Sequence, residues 1–337
     1  MSMRSIRARL AVTLAAFGAL LAAMLLFAPT VGSTHISLAR AFDRSIPFAD
    51  NLDAQIFFIA RLPRVVAAAL VGGSLAAAGV VFQALLRNPL ASPDTLGVSS
   101  GAGLGAMLAI TFHWDIPIAG VSAIPLSSFA GSLFALGVVY WLSTVRRRGM
   151  STTVLLLAGV TMTAFFSAMI LFTQYLADFA ETFRSVRWLM GSLDVGGYGP
   201  IVAALPMLAI AFALFATLPR ALDLISLGAD AAAARGVDVV RAERIALASA
   251  SLATGATVAI GGPIGFIGII VPHLVRLLVG SDHRLVLPAS VLFGAGFLIA
   301  CDLIARILFA PMELPVGVVT AMIGGPFFLW LLVRSAR

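Results

Sequence analysis

The chain has 337 residues, of which 61% are hydrophobic and only 11% are charged. Soluble domains are about a quarter charged, so water is excluded as the solvent for most of this chain and a lipid environment is expected. All 22 basic residues are arginine, and the absence of lysine excludes a Walker A phosphate loop and a Schiff-base enzyme.

Cysteine and histidine usage gives no sign of a reactive centre. The single cysteine, Cys301, excludes an intrachain disulfide and a thiolate metal cage. The four histidines, at positions 35, 113, 273 and 283, lack the spacing of a metal site. The sequence therefore predicts no catalytic group, no metal site and no cofactor.

Ten apolar runs follow one another along the chain, bounded by charged residues, Pro and Gly. They cover residues 11–31, 62–86, 96–112, 118–143, 152–177, 200–219, 244–260, 263–279, 286–308 and 314–333. Because the runs are continuous rather than alternating, they indicate helices. The predicted fold is an all-α integral membrane protein of about ten transmembrane helices, forming one domain over residues 1–337.

The first run follows a cluster of arginines at positions 4, 7 and 9. This charge order resembles a secretory signal, but the apolar run from Leu10 to Ala28 is longer than a signal core. We therefore expect an uncleaved first helix whose arginines stay in the cytoplasm.

Arginine distribution predicts the orientation of the chain. An even number of spans places both termini on one side, and we assign that side to the cytoplasm because it then carries most of the arginines. Seven arginines remain outside, namely Arg40, Arg44, Arg61, Arg64, Arg184, Arg187 and Arg306. The positive-inside rule thus predicts that both termini are cytoplasmic.

Two connecting segments are long. Residues 33–60 are predicted to form an outer, periplasmic loop, and residues 220–244 an inner, cytoplasmic one. The inner loop is rich in alanine, and its Asp230 to Arg235 stretch favours a helix that Gly236 ends. We expect short helices outside the bilayer on which a partner docks, although a solvated connector is the alternative.

Glycines are placed at two informative positions. Gly97, Gly101 and Gly105 recur every four residues, a spacing that allows close helix crossing. A second group interrupts an apolar segment at residues 261–265. Interruptions of this kind flank transport paths as hinges, but a simple tight turn would give the same pattern.

The fifth run is the richest in hydroxyl groups, and those along its length are at Thr161, Thr163, Ser167 and Thr173. Such residues can line a weakly polar translocation path. They can equally donate to carbonyl groups one turn back in their own helix, and the sequence leaves both readings open.

Three long stretches resemble the FecCD family of importer permeases. They are RLPRVVAAALVGGSLAAAGVVFQALLRNPLASPDTLGVSSGAGLGA from Arg61, GGPIGFIGIIVPHLVRLLVGSDHR from Gly261 and ELPVGVVTAMIGGPFFLWLL from Glu313. The shorter WLMGSL from Trp188 is also similar to the family. Members import ferric siderophores, haem or cobalamin, and the motifs do not distinguish these cargoes.

The resemblance implies a homodimer in the bacterial inner membrane with a translocation path along the dimer axis. It also implies two cytoplasmic ATPase subunits, which hydrolyse the ATP, and one periplasmic substrate-binding protein. The family's coupling loop matches the inner segment here, and its candidate ATPase contacts are Leu227, Gly228, Asp230, Ala233, Arg235, Gly236 and Val237.

The resemblance further implies that Arg61, Arg64 and Arg306 receive acidic side chains of the binding protein. A guanidinium fork suits bidentate pairing with a carboxylate. Two alternatives remain: an arginine at the membrane edge can be a snorkelling anchor, and Asp302, four residues before Arg306, can pair with it inside one helix.

Two other function classes compete with an importer permease. An ion-coupled secondary transporter would keep ionisable residues near the bilayer midplane, whereas Asp94, Asp302 and Glu313 lie near the ends of spans. An intramembrane enzyme would need a nucleophile and base or a metal set. The sequence therefore favours a permease that is driven by partner subunits.

Overall fold

The computed structural model describes residues 3–114, 123–144 and 152–335, and all regular structure within these ranges is helical. Ten of the described helices are apolar and have 13 residues or more. They are α1 (Met3–Phe27), α2 (Leu62–Leu85), α3 (Val98–Thr111), α4 (Ala123–Thr144), α5 (Thr152–Leu176), α6 (Gly199–Thr217), α7 (Val239–Gly261), α8 (Ile267–Val279), α9 (His283–Ile307) and α10 (Val316–Ser335).

Short helical pieces connect these elements. The short α-helices are Leu38–Ala41, Leu52–Gln55, Phe179–Leu189, Pro219–Ile225 and Ala229–Ala233. Single 3₁₀ turns cover Ala28–Thr30, Phe48–Asp50 and Pro93–Leu96. A π-helix covers Ile56–Arg61. The two longest connections predicted from the sequence therefore contain helical structure rather than irregular chain.

Each of the ten predicted apolar runs overlaps one long helix. Helix α7 begins at Val239, before the predicted start at residue 244, because Asp238 caps it and accepts a hydrogen bond from the Arg241 amide at 3.0 Å. The predicted start of the fourth span at residue 118 and the arginines at 146–148 lie outside the described residues.

The outer loop ends earlier than predicted. Leu52–Gln55, the π-helix and α2 form one uninterrupted helical stretch, which begins where the Asn51 side chain accepts a hydrogen bond from the Ala54 amide at 3.1 Å. The sequence placed the start of this span near residue 62. The difference arises because the apolar IFFIA segment continues the helix outward beyond Arg61.

Seven of the described helices are long and apolar enough to cross a membrane, so the chain is a multi-pass membrane protein. Three further apolar helices are shorter, namely α3, α8 and α10. At 1.5 Å per residue, the 14 residues of α3 extend about 21 Å, which is less than the hydrocarbon thickness of about 30 Å.

Helix α2 is the centre of the molecule. Nearly all of its residues are buried, and it packs against α7, α8 and α9. A second group forms where α3 packs against α4 and α5, and α7 joins the two groups by contacting α4 as well as α2. Helix α1 lies on the outside against α9 and is largely exposed along its length.

Pairs of small residues allow these helices to cross closely. A methyl group added at Gly101 would lie 2.6 Å from the Cβ atom of Ala135, and one added at Gly72 would lie 2.7 Å from that of Leu298. The predicted role of the glycine repeat is therefore confirmed for Gly101. Gly97 differs, because it precedes α3 with a φ of 74°, which glycine adopts without strain.

Candidate functional site

The three predicted docking arginines lie together around one pit of about 370 Å³ on the side of the outer loop. Arg61 is the last residue of the π-helix, Arg64 lies in the first turn of α2, and Arg306 lies in the last turn of α9. Their side chains are almost fully buried, with exposed fractions of 6%, 8% and 2%. The arginines line the pit from within rather than projecting from its rim.

Arg64 is held by two carboxylates from distant parts of the chain. Its Nε donates to Oδ1 of Asp302 at 2.8 Å, and its Nη1 donates to Oε2 of Glu313 at 2.5 Å. Asp302 is fully buried, whereas the Glu313 side chain is 36% exposed. Glu313 is therefore the partner of Arg64 that faces the opening.

Asp302 is shared between two arginines. Its Oδ2 atom lies 3.0 Å from Nε of Arg306, four residues along α9, so the intrahelical pair expected as an alternative is present. The Nε hydrogen does not point at that oxygen, so this contact is ionic and is not a hydrogen bond. Arg306 instead donates to the carbonyl oxygens of Val31 at 2.8 Å and Ala28 at 3.2 Å.

Arg61 makes a different set of contacts. It donates to the carbonyl oxygens of Pro29 at 3.3 Å, Thr30 at 3.2 Å and Thr34. Among the described residues, no carboxylate lies within ion-pair distance of its guanidinium group. Arg61 is thus the pit arginine whose charge the described chain leaves without a carboxylate partner.

The arrangement holds three guanidinium groups against two paired carboxylates. Asp194 also lines the pit, but it is exposed and is in no ion pair within the described ranges. Buried charges are tolerated when they are paired and hydrogen-bonded, and the pit satisfies this for Arg64 and Arg306. Chemically, the pit can accept one further carboxylate next to Arg61.

The sequence indicated the three arginines and the Asp302–Arg306 pair, but it did not indicate Glu313 as a partner of Arg64. Glu313 precedes Pro315 just before α10, and nothing in its local sequence indicates an arginine partner. The available signal was the predicted topology, which places Glu313 on the same outer side as the three arginines.

The inner segment between α6 and α7 contains two short helices, Pro219–Ile225 and Ala229–Ala233. Gly228, with a φ of 121°, separates them, and Gly236, with a φ of 83°, ends the second. A small apolar cluster of Ile225, Ala232 and Ala242 holds the segment against the start of α7. The expectation of short helices in this loop is confirmed.

The predicted ATPase contacts in this segment differ in exposure. Leu227, Asp230, Ala233, Arg235 and Gly236 are exposed, whereas Gly228 and Val237 are half-buried. Leu227 is 66% exposed although it is a large apolar side chain. The segment therefore exposes the apolar side chains of Leu227 and Ala233 together with the charged side chains of Asp230 and Arg235.

A half-buried pair, Asp223 and His283, ties this segment to α9. Oδ1 of Asp223, on the first short helix, lies 2.6 Å from Nδ1 of His283 and accepts from the His283 amide at 2.9 Å. Because His283 is the first residue of α9, the pair fixes the inner segment to the inner end of that helix. The outer end of the same helix carries Asp302 and Arg306.

The hydroxyl groups of α5 are mostly used within the helix. Thr161, Thr163 and Thr173 donate to the carbonyl oxygens of Leu157, Gly159 and Met169 at 2.8 to 2.9 Å. Thr161 and Ser167 are exposed on this chain and Thr163 is half-buried, whereas Thr173 is 5% exposed. The back-bonding alternative holds for all three threonines, and Thr173 lies in the interior.

The interrupted segment at residues 261–265 forms a tight turn that is packed against other backbone. The Ser192 amide donates to the Gly261 carbonyl at 2.8 Å, and the Gly317 amide donates to the Gly191 carbonyl at 3.3 Å. A methyl group at Gly262 would lie 2.6 Å from the Trp188 carbonyl oxygen. Three of the four family-like stretches therefore meet here, and the contacts favour the tight-turn reading over a free hinge.

Within the described ranges, no cluster of three His, Cys, Asp or Glu side chains has the geometry to hold a metal ion.

Comparison with known proteins supports the resemblance seen in the sequence. The model of the FecCD transport family matches residues 20–334. A cobalamin import system permease protein of Halobacterium salinarum is 41% identical over 301 residues, which cover 88% of this chain and 78% of the relative. A hemin transport system permease protein of Yersinia pestis is 36% identical over 315 residues, which cover 93% of this chain and 94% of the relative.

A solved structure agrees with these relatives. It is described as an inward-facing conformation of a metal-chelate type ABC transporter, and it matches this chain with a TM-score of 0.81 and 32% identity over 95% of this chain and 98% of the other. The family match, the relatives and the shared fold span nearly the whole chain. The chain belongs to the FecCD transport family of ABC transporter permeases.

Proposed function

We propose that the chain is the membrane permease of a binding-protein-dependent ABC importer that carries an iron chelate or cobalamin into the cytoplasm. The observation that carries this proposal is the match to the FecCD family over residues 20–334, together with relatives named for hemin and cobalamin import. ATP hydrolysis belongs to separate subunits in this proposal, because a chain without lysine cannot build a Walker A loop.

The proposed assembly is a homodimer in the inner membrane with one translocation path along its axis. Each subunit contributes ten spans, counting the short helices α3, α8 and α10, and both termini lie in the cytoplasm. The arginine distribution supports this orientation. Exposed Thr161 and Ser167 on α5 are proposed to line the path without forming a strong binding site.

The pit around Arg61, Arg64 and Arg306 is proposed to dock the substrate-binding protein. Arg61 supports this role, because its guanidinium group has no carboxylate partner in the described chain. An acidic side chain that enters the pit would complete the charge balance and could pair bidentately. In this arrangement, Arg64 and Arg306 mainly fix the shape of the pit and contribute to its positive electrostatic potential.

The inner segment from Leu227 to Val237 is proposed to bind the ATPase. Its exposed Leu227 and Ala233 support this role, because they offer apolar contact area on the segment that matches the family's coupling loop. The Asp223–His283 pair holds the segment rigidly against the membrane domain.

The test of the proposed function is transport by a reconstituted system. The chain is placed in proteoliposomes with candidate ATPase and binding-protein partners, and uptake of haem, a ferric siderophore and cobalamin is measured with and without ATP. We expect ATP-dependent uptake of one cargo that requires all three components. Uptake by the chain alone, driven by a sodium or proton gradient, would show an ion-coupled secondary transporter instead.

A further inference from the structure

Two apolar grooves on the surface each end at an arginine on the side that the orientation assigns to the cytoplasm. The first, of about 520 Å³, lies between α4 and α7 and ends at Arg244. The second, of about 450 Å³, lies between α1, α6 and α9 and ends at Arg284. Their walls are predominantly aliphatic and aromatic, so the two grooves differ mainly in the surroundings of their arginines.

Arg244 differs from Arg284 in having no ion-pair partner among the described residues. Its Nε donates to the Tyr140 hydroxyl at 3.1 Å, which holds the guanidinium group over the groove. Within the described part of the chain, no carboxylate lies at ion-pair distance from Arg244. Its neighbour Glu243 leaves the helix about 100° away around the axis, since residues i and i+1 do not share a face.

Arg284 is already paired. Its Nε and Nη2 donate to Oδ1 and Oδ2 of Asp282 at 2.9 and 2.7 Å. These hydrogen bonds lower the pKa of Asp282, which keeps that carboxylate ionised and the pair neutral overall. The second groove therefore offers apolar surface without a net positive charge at its end.

We propose that the α4–α7 groove binds an anionic phospholipid, with its phosphate on Arg244 and the Tyr140 hydroxyl and an acyl chain between Leu136 and Leu247. This proposal does not depend on which cargo the chain carries. Gly137 leaves open space in the groove wall, because a methyl group built there would meet no atom within 4 Å. The apolar contacts to the acyl chain come from Leu136, Leu247 and Ala248.

Charge and shape together select this ligand. A groove between two membrane-spanning helices faces lipid chains, and a basic residue at its cytoplasmic end attracts anionic headgroups. A guanidinium group and a phenol at one point supply donors that match phosphate oxygens. A soluble anion would gain the donors but would leave the apolar walls uncovered.

The experiment counts lipids that stay bound to the full chain. The protein is reconstituted into nanodiscs of phosphatidylcholine with phosphatidylglycerol, transferred to mild detergent and analysed by native mass spectrometry. We expect Arg244→Gln to retain about fivefold less phosphatidylglycerol than the unmodified chain, the effect expected of one basic residue near an anionic lipid. The matched control Arg284→Gln should retain as much as the unmodified chain.

Two outcomes would overturn the proposal: equal retention by Arg244→Gln and the unmodified chain, or an equal loss in Arg284→Gln. If Arg244→Gln does not fold, Tyr140→Phe decides, because it should lower retention while leaving Arg244 in place; unchanged retention would overturn the site. Gly137→Leu should also lower retention by filling the groove. A changed dimer fraction with unchanged lipid would instead show a second copy in the groove.

Inorganic phosphate separates a lipid from a free anion. Excess phosphate should leave the bound phosphatidylglycerol unchanged, since the acyl chain supplies much of the binding. Displacement of the lipid by phosphate would show that the site recognises the anion alone, and would overturn the assignment of a lipid.

Discussion

The outer arginine pit and the inner segment at residues 220–244 present their surfaces by opposite means. In the pit, Arg64 and Arg306 are buried and share Asp302. The inner segment instead exposes Leu227 and Ala233 on short helices with a small apolar cluster beneath. The first surface is defined by charges that the fold holds in place, and the second by the shape of exposed small side chains.

This difference predicts how substitutions on each surface change stability and binding. A buried ion pair loses several kcal/mol when one partner is removed, because the other charge stays desolvated. An exposed alanine can be replaced with little change in stability, because its side chain contacts mainly solvent. Substitutions at the paired charges of Arg64, Asp302 and Arg306 should therefore affect folding together with binding, whereas substitutions on the inner segment should affect binding alone.

The largest expected effect is on the inner surface. Ala233→Arg adds a long charged side chain to the exposed helix, and we expect the ATPase subunit to be lost from the purified complex while the unfolding temperature is unchanged. Co-purification measures the effect. Ala49→Arg, the same change at an exposed site in the outer loop, is the matched control. Retention of the ATPase by Ala233→Arg would indicate a simple connector.

The next effect concerns the shared carboxylate. Asp302→Asn should lower the stability of the protein by about 3–5 kcal/mol, because it leaves Arg306 without a counter-charge in the interior. Thermal unfolding in detergent measures this loss. Glu313→Gln, at a side chain that is 36% exposed, should cost about 1 kcal/mol or less. Equal losses for the two variants would argue against the shared ion pair.

Arg61 gives a smaller effect that separates docking from folding. Arg61→Gln should weaken association with the binding protein by about 2 kcal/mol, roughly a thirtyfold rise in Kd, and should flatten its salt dependence. Titration of the labelled binding protein measures both. Arg61→Lys should keep the salt dependence because it keeps the charge, and Arg44→Gln should leave the Kd unchanged. An unchanged Kd for Arg61→Gln would identify Arg61 as a structural anchor.

The smallest effect belongs to the exposed pair of the outer loop. Arg40 and Asp53 lie 3.8 Å apart, and the Arg40 side chain is 69% exposed. Arg40→Gln should therefore change stability by no more than about 0.5 kcal/mol. Unfolding at low and high salt checks this, and a loss comparable to that of Asp302→Asn would mean that exposure does not separate the two kinds of pair.

Much of the fold was predictable from hydropathy alone. The predicted run at 62–86 matches α2, and the run at 152–177 matches α5, because long apolar runs form helices wherever the backbone must satisfy its own hydrogen bonds. The sequence did not predict that the helical stretch leading into α2 begins at residue 52. The aromatic residues of IFFIA are compatible with either a helix or a loop, and only the packing of Phe57 against Phe42 and Phe58 decides between them.

The candidate site was predictable in part. The RLPR motif identified Arg61 and Arg64, and the spacing of Asp302 and Arg306 within one helix indicated their pair. The hydroxyl groups of α5 could not be assigned from sequence. A threonine that donates to its own helix and one that faces a path have the same local pattern, and the structure has the first arrangement at Thr161.

The amino-acid sequence by itself determined that this protein is helical and lies in a membrane, and it predicts a set of arginines on the outer side, because hydropathy and charge act locally along the chain. Only the tertiary structure decided which charges are neutralised. Arg64 meets its two carboxylates across separations of 238 and 249 residues, while Arg61 donates to carbonyl groups and has no carboxylate partner among the described residues. Electrostatic energy depends on distance in space and on exclusion of water, and neither quantity can be read from the order of residues along the chain.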